Sequence, residues 1–426
     1  MKCRLFLVLA LIGFLPLAYA GDVQPGLAGK FIVGYQGWFG CPGDFEGNTD
    51  WQHWFLEKVD AEHLTVELLP SVRGFDPKDL CDSTLKRPDG SEIYLFSSQN
   101  PHIVATHFAW MRDHGIDGGA IQRFAAGLSR PKVKSRYDHM LGNVRAAAEA
   151  SGRVFYVTYD ISGADPKTVV DDVRKDWQYL NNDLKITASP NYLLDHGKPV
   201  VELWGFGVGD RPGEAGEVGA LIADLKAGKN GLQAATVIGG VPTSWRTLNG
   251  DSKSGPAWAA TYRSYDVISP WFVGRFDDNK SVDAFFHDHV VGDLIETRKL
   301  GIGYMPVVFP GFSWSNLMRV RGNKADPFNR IPRHCGDFFW HQVAILLGAR
   351  VNMLYGAMFD EADEGTAMFP VETRDDKLPV GTKMVSLNLD GCAVPDDWYL
   401  TLSGKAAGFL KSQKVPPKNY EAVVTP

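Results

Sequence analysis

The chain has 426 residues and a formal net charge of −6, a length that fits one large barrel or two ordinary domains. No basic patch or arginine-rich run appears, which argues against nucleic acid as a partner. Apolar residues make up 44% of the chain, as in a globular protein, and no stretch is compositionally disordered.

At the N-terminus Lys2 and Arg4 precede an apolar run from Leu5 to Leu17, and Ala18-Tyr19-Ala20 reads as a small-x-small cleavage site. This predicts a signal peptide over residues 1–20 and a secreted or periplasmic product. The apolar run is short for a membrane span, and no later run approaches one. Cys3 leaves with the signal, so Cys41, Cys81, Cys335 and Cys392 remain. Export permits disulfides, and four cysteines allow three pairings. Cys41 with Cys81 is the shortest closure and is preferred. The absence of a C-x-x-C pair argues against a thiolate zinc site.

Along the chain a helical pattern repeatedly ends at a glycine and a β-type run follows. The joins are Gly115, Gly152, Gly197, Gly301 and Gly348. Glycine enters the left-handed conformation cheaply, so each reads as a helix stop. The expected strands are Phe31–Gln36, Gly118–Arg123, Val154–Tyr159, Val200–Trp204, Ala235–Gly239, Val267–Pro270, Tyr304–Phe309 and Met353–Phe359. Between them Val169, Val173, Trp177 and Leu180 recur every three or four residues behind Asp165 as N-cap and Pro166. Phe286, Val290, Leu294 and Ile295 do the same, as do Phe339, Val343 and Leu346. Alternating strands and helices imply a parallel sheet, and eight repeats imply a closed (β/α)₈ TIM barrel. It is read as a single domain over 21–415, with a tail over 416–426 as a surface strap. Leu64–Leu69 also reads as a strand, inside a long excursion after the first barrel strand.

Active sites of such barrels lie at the C-terminal ends of the strands. Here those ends are rich in aromatic, polar and glycine residues, a mixture suited to sugars. Tyr35, Trp38, Arg123, Tyr159, Asp160, Trp204, Trp271 and Trp314 are the candidate substrate-binding residues. Indole faces stack on C–H surfaces, and the polar groups hydrogen-bond hydroxyls. Arg123 has an alternative reading as a structural ion pair with Asp160, and Trp51 and Trp54 are further stacking candidates. His53, His102 and His107 read as ordinary helix or loop histidines. No G-x-S-x-G elbow, phosphate loop or H-E-x-x-H is present.

The sharpest constellation follows the eighth strand: Asp360, Glu361, Asp363 and Glu364 fall within five residues. Like charges this close raise one pKa, so that one carboxyl can stay protonated near neutrality while another is ionised. Glycosidic cleavage needs such an acid beside a base. A solvated acidic loop and a metal site are the competing readings.

Met358 to Thr366 resembles the Asn-Glu-x-x-Glu-Gly-Thr signature that closes the barrel in glycoside hydrolase family 99, the endo-α-mannosidases and endo-α-mannanases. Gly34-Tyr35-Gln36-Gly37-Trp38-Phe39 is similar to that family's first strand. Gly115-Ile116-Asp117-Gly118 resembles its second, and Pro310-Gly311-Phe312 its turn after the seventh. The resemblance implies Glu364 as general acid/base and Glu361 as the base that deprotonates the sugar's own 2-hydroxyl, with overall retention and no organic cofactor. Where the family has Asn, Trp and His around the pair, this chain has Asp360, Ala362 and Asp363. It therefore also resembles the broader group bridging families 71 and 99, some members of which are named xylosidase or arabinosidase. The expected partner is an oligosaccharide or polysaccharide. The rival functions are a non-catalytic carbohydrate-binding barrel and a metal-dependent hydrolase using loop 360–364.

Overall fold

The computed structural model describes residues 26–424, so the expected signal peptide lies outside the described residues. The chain opens with β1 (Phe31–Tyr35) and then makes an excursion containing an antiparallel hairpin, β2 (Leu80–Lys86) and β3 (Glu92–Phe96). Then follow β4 (Gly118–Phe124), β5 (Val154–Asp160), a short β6 (Leu194–Asp195), β7 (Lys198–Trp204), β8 (Thr236–Val241), β9 (Val267–Pro270), β10 (Gly303–Tyr304), β11 (Val307–Val308) and β12 (Leu354–Gly356). The main sheet runs β10-β9-β8-β7-β5-β4-β1-β12-β11, with parallel pairing throughout that path.

The two ends of this path are one stretch of chain. β10 pairs with β9, β11 pairs with β12, and only Met305-Pro306 separates them. The expected strand Tyr304–Phe309 is therefore split, because proline has no N–H to give the ladder. Ladder-like bonds continue across the break, from Met305 N to Ile268 O at 2.8 Å and from Tyr355 N to Pro306 O at 3.1 Å. The seventh strand position thus closes the sheet into the expected (β/α)₈ barrel.

The helices take the places that periodicity gave them, with four corrections. The helix carrying Trp177 begins at Val169 behind Thr168. Asp165 instead closes the preceding turn, accepting from Lys167 N at 2.9 Å. The stretch Asn279–Leu300 contains a π turn at Phe286–Val290. The wider turn shifts the apolar face, so Val290 and Leu294 are buried while Ile295 is 63% exposed. Gly115, Gly152 and Gly301 are left-handed at their joins as expected. Gly197, however, belongs to the tight turn between β6 and β7, and the left-handed residue after Gly348 is Arg350.

Leu64–Leu69 is not a strand, although Leu64, Val66, Leu68 and Leu69 are buried. Its backbone pairs with loops instead: Glu67 N and Leu68 N both donate to Ala362 O, at 2.9 and 3.2 Å. The excursion is fastened by a Cys41–Cys81 disulfide, and Cys335 joins Cys392 across the loops near β12. Two disulfides fit an extracellular protein. Among the described residues no helix is long and apolar enough to cross a membrane. A helix at Trp398–Ser412 follows β12, and the tail beyond it is held by Trp340 Nε1 donating to Pro417 O at 2.9 Å.

Candidate active site

A cleft of about 490 Å³ opens at the C-terminal ends of the barrel strands. Gln36, Gln122, Asp160, Trp204, Pro242, Trp271, Phe312, Met358 and Glu361 line it, and each lies at or beyond the C-terminal end of a barrel strand, save Gln122, two residues before the end of β4. Asp363 and Glu364 complete the floor beside Glu361. Both glutamates of the acidic segment therefore face one cavity.

That segment is held by backbone and buried side chains rather than left to solvent. Phe359 N donates to Gly34 O at 2.7 Å, tying it to β1. Asp360 turns away from the cleft, and its two oxygens accept from Gln36 N and Gly37 N at 2.7 and 2.8 Å. Burial pushes its pKa up to about 7, and this carboxyl serves as a clamp on the end of β1. Ser313 N donates to Glu364 O at 3.0 Å. Gly365 is left-handed with its Cα against the Ser313 backbone, leaving no room for a β-carbon. The buried Arg333 donates from Nη2 to Gly365 O and Ala367 O at 2.9 and 2.8 Å.

The two glutamates have different surroundings. Glu361 is 5% exposed. Its Oε1 accepts from Gln36 Nε2 at 2.6 Å and its Oε2 from Thr366 Oγ1 at 2.6 Å. Glu364 is half-buried, and its carboxyl has no hydrogen-bond donor among the described residues. Burial raises both pKa values, and for Glu361 the charges of Glu364 and Asp363 add to the effect. Glu364 is pushed up to about 8, by burial first and then by Asp363. Such a pair shares a proton near neutrality. Donors favour the ionised form, so the two hydrogen bonds favour carboxylate at Glu361, a stabilisation that Glu364 does not receive. Asp363, 2% exposed, approaches His53 Nδ1 at 3.6 Å. Among the described residues no group of three His, Cys, Asp or Glu side chains is arranged to hold a metal ion.

Of the expected substrate-binding residues, Trp38, Asp160, Trp204, Trp271 and Trp314 line the cleft. Trp38 lies flat against His53, with ring centroids 4.1 Å apart, and near-parallel to Phe124 at 5.6 Å, so its ring faces are already engaged. Arg211 covers Trp204 at 4.1 Å. Trp271 and Trp314 meet their aromatic neighbours only edgewise and have more ring face to offer.

Tyr35, Arg123 and Tyr159 are corrections: none lines the cleft, and all three are buried behind the sheet. Tyr35 hydroxyl meets His107 Nδ1 at 3.0 Å, and burial pushes the His107 pKa down to about 3. Arg123 binds both oxygens of Asp176, at 2.5 and 2.7 Å, and Asp138 at 2.7 Å, not Asp160. Tyr159 hydroxyl donates to Asp176 at 2.9 Å. The cause is strand alternation. Successive side chains point to opposite faces, so Gln36, Gln122 and Asp160 face the cleft while their neighbours face the helices. Trp51 does not line the cleft, and Trp54 is core, donating from Nε1 to Phe96 O at 2.8 Å.

Sequence reasoning missed several residues. Gln36 and Gln122 were legible only through that parity. His53 reaches the cleft from the excursion after β1. Glu67 is fully buried and accepts from Ser313 Oγ at 2.6 Å and Ser315 Oγ at 3.2 Å, joining the 313–316 loop to the segment that holds Ala362. A charged residue inside the apolar run 64–69 was the available signal. Glu202, on β7, is buried inside the barrel and accepts from Thr158 Oγ1 at 3.0 Å and Tyr156 hydroxyl at 3.2 Å. Burial pushes its pKa up to about 7.

Two solved structures of the GH99 endo-α-mannosidase from Bacteroides thetaiotaomicron match this chain, one in complex with bis-tris-propane. Both superpose with a TM-score of 0.62 over 91% of this chain and 98% or 99% of theirs, at 15% and 14% identity. This chain has their fold. No family model matches the sequence, and no curated protein matches it either.

Proposed function

We propose that this chain is an exported retaining glycoside hydrolase acting on an oligosaccharide or polysaccharide, with Glu361 as base and Glu364 as general acid/base. One observation carries the reading: a buried and a half-buried glutamate face a single cleft, and hydrogen-bond donors sit on only the first. Glu361 takes the proton of the sugar's 2-hydroxyl. That oxygen attacks the anomeric carbon as the glycosidic bond breaks, and Glu364 gives its proton to the leaving oxygen. In the second half Glu364 takes a proton from water, which opens the 1,2-anhydro sugar. The 2-oxygen recovers its proton from Glu361, and configuration is retained. Trp271 and Trp314 supply stacking faces, and Asp160 and Gln122 hydrogen-bonding groups. The shared fold with endo-α-mannosidases supports a carbohydrate substrate, and the two disulfides support export.

The test is a screen of defined glycans with the first anomer released followed by proton NMR. Retention is expected, and an inverted first product rules out the neighbouring-hydroxyl route. Glu364→Gln separates an enzyme from a carbohydrate-binding barrel: an enzyme loses turnover and keeps binding, whereas a lectin has no turnover to lose.

A further inference from the structure

The cleft floor is acidic, with Asp160, Glu361, Asp363 and Glu364, yet four arginines also line the cavity: Arg211, Arg275, Arg321 and Arg330. Two are already paired. Arg275 binds Asp251 at 2.6 Å and Thr243 Oγ1 at 3.1 Å, and Arg330 reaches Asp326 at 3.4 Å. The other two are not committed in this way. Arg211 lies over Trp204 and comes no closer to Asp160 than 4.0 Å, and its Nη1 makes no hydrogen bond. Arg321, exposed at the start of the rim segment 321–330, has no side-chain hydrogen bond or ion pair among the described residues.

These two charges are not spread evenly over the floor. Both act on Glu364, opposing Asp363 and Asp160, and Arg321 caps the helix Ser315–Val320, whose leading loop holds Glu364 through Ser313 N to Glu364 O at 3.0 Å. The two uncommitted guanidinium groups thus lie toward Glu364. On the reading above, Glu364 faces the leaving oxygen, so this is where the departing sugar sits. A neutral sugar there would leave Arg321 without an anion and Arg211 with Asp160 no nearer than 4.0 Å. A carboxylate or sulfate would match their planar donor forks.

We propose that the leaving-group subsite is built for an anionic sugar residue, a uronate or a sulfate ester, received by Arg321 and Arg211. The inference rests on the glycosidase reading but can fail independently of it. The full chain carrying Glu364→Gln is titrated by calorimetry with paired oligosaccharides. Alginate, glucuronoxylan and galacturonan fragments are each set against their carboxyl-reduced forms, and a sulfated galactan fragment against its desulfated form. A recognised pair should show the anionic member binding roughly tenfold tighter, the worth of one charge-assisted contact. High salt should shrink that preference, and Arg321→Gln should remove most of it. Arg321 is exposed, so the melting temperature is expected to stay unchanged. Preference in the uronate pairs or in the sulfate pair tells which anion is read. Neutral members binding as tightly as anionic ones, with the wild-type chain cleaving them, overturns this proposal and leaves the glycosidase reading intact. So does a preference that survives Arg321→Gln undiminished. Absence of both binding and cleavage across every pair and the defined-glycan screen removes the two together.

Discussion

The hydrogen bond from Gln36 Nε2 to Glu361, at 2.6 Å inside a buried site, has a calculable consequence for pH dependence. A donor to a carboxylate stabilises only the ionised form. Such a charge-assisted bond contributes about 1.5–3 kcal/mol, and one pKa unit corresponds to about 1.4 kcal/mol. Replacing Gln36 by Leu should therefore raise the pKa of Glu361 by roughly one to two units. Glu361 has to be ionised to act as base, so the acidic limb of the kcat/KM profile should move to higher pH by that amount. At pH values below the limb the variant should be about ten to a hundred times slower than wild type, with a smaller deficit on the plateau. Thr366→Val removes the second donor, at 2.6 Å, and should move the same limb in the same direction. The assay is kcat/KM against pH on whichever glycan the screen identifies. An acidic limb that stays in place or moves down in both variants would refute the assignment of Glu361 as base.

Glu364→Gln should lower kcat by about 10²–10⁴ for an ordinary glycosidic leaving group and far less for a dinitrophenyl glycoside, which needs no proton; equal losses on both would count against an acid role. Glu364, pushed up to about 8, and Asp360, pushed up to about 7, bind protons that the unfolded chain releases near pH 4. The folded state holds more protons over that interval, so stability should fall as pH rises from about 4 to about 8, by up to about 1.4 kcal/mol per pH unit for each proton held. Melting temperatures across this range should show the decline, and Glu364→Gln should flatten it. Arg123→Met breaks a buried pair with Asp176 and should cost about 3–5 kcal/mol of stability in a denaturant titration, with kcat per folded molecule close to wild type. Cys41→Ser opens a 40-residue loop, and the chain-entropy relation gives a loss of about 4 kcal/mol, readable in the same titration against a reduced wild-type control.

What the sequence determined by itself was local and periodic. Glycine stops, three- and four-residue apolar recurrence and eight short β-type runs were enough for the barrel, because each reflects backbone preference and one-sided burial within a few neighbouring residues. The clustering of Asp360, Glu361, Asp363 and Glu364 was visible for the same reason: proximity in sequence guarantees proximity in space. Tertiary structure decided what depends on distant partners. Asp360 belongs to the end of β1 and not to the cleft, since its donors are Gln36 N and Gly37 N. Arg123 and Tyr159 turn to Asp176 on a helix, while Gln122 and Asp160, one residue away in each direction of the chain, line the cavity. A strand changes face at every residue, so naming a strand end without fixing its phase leaves inward and outward side chains undistinguished. His53 and Glu67 arrive from an excursion whose path no local pattern encodes. Their places are set by where the chain folds back across the barrel mouth, a matter of long-range packing.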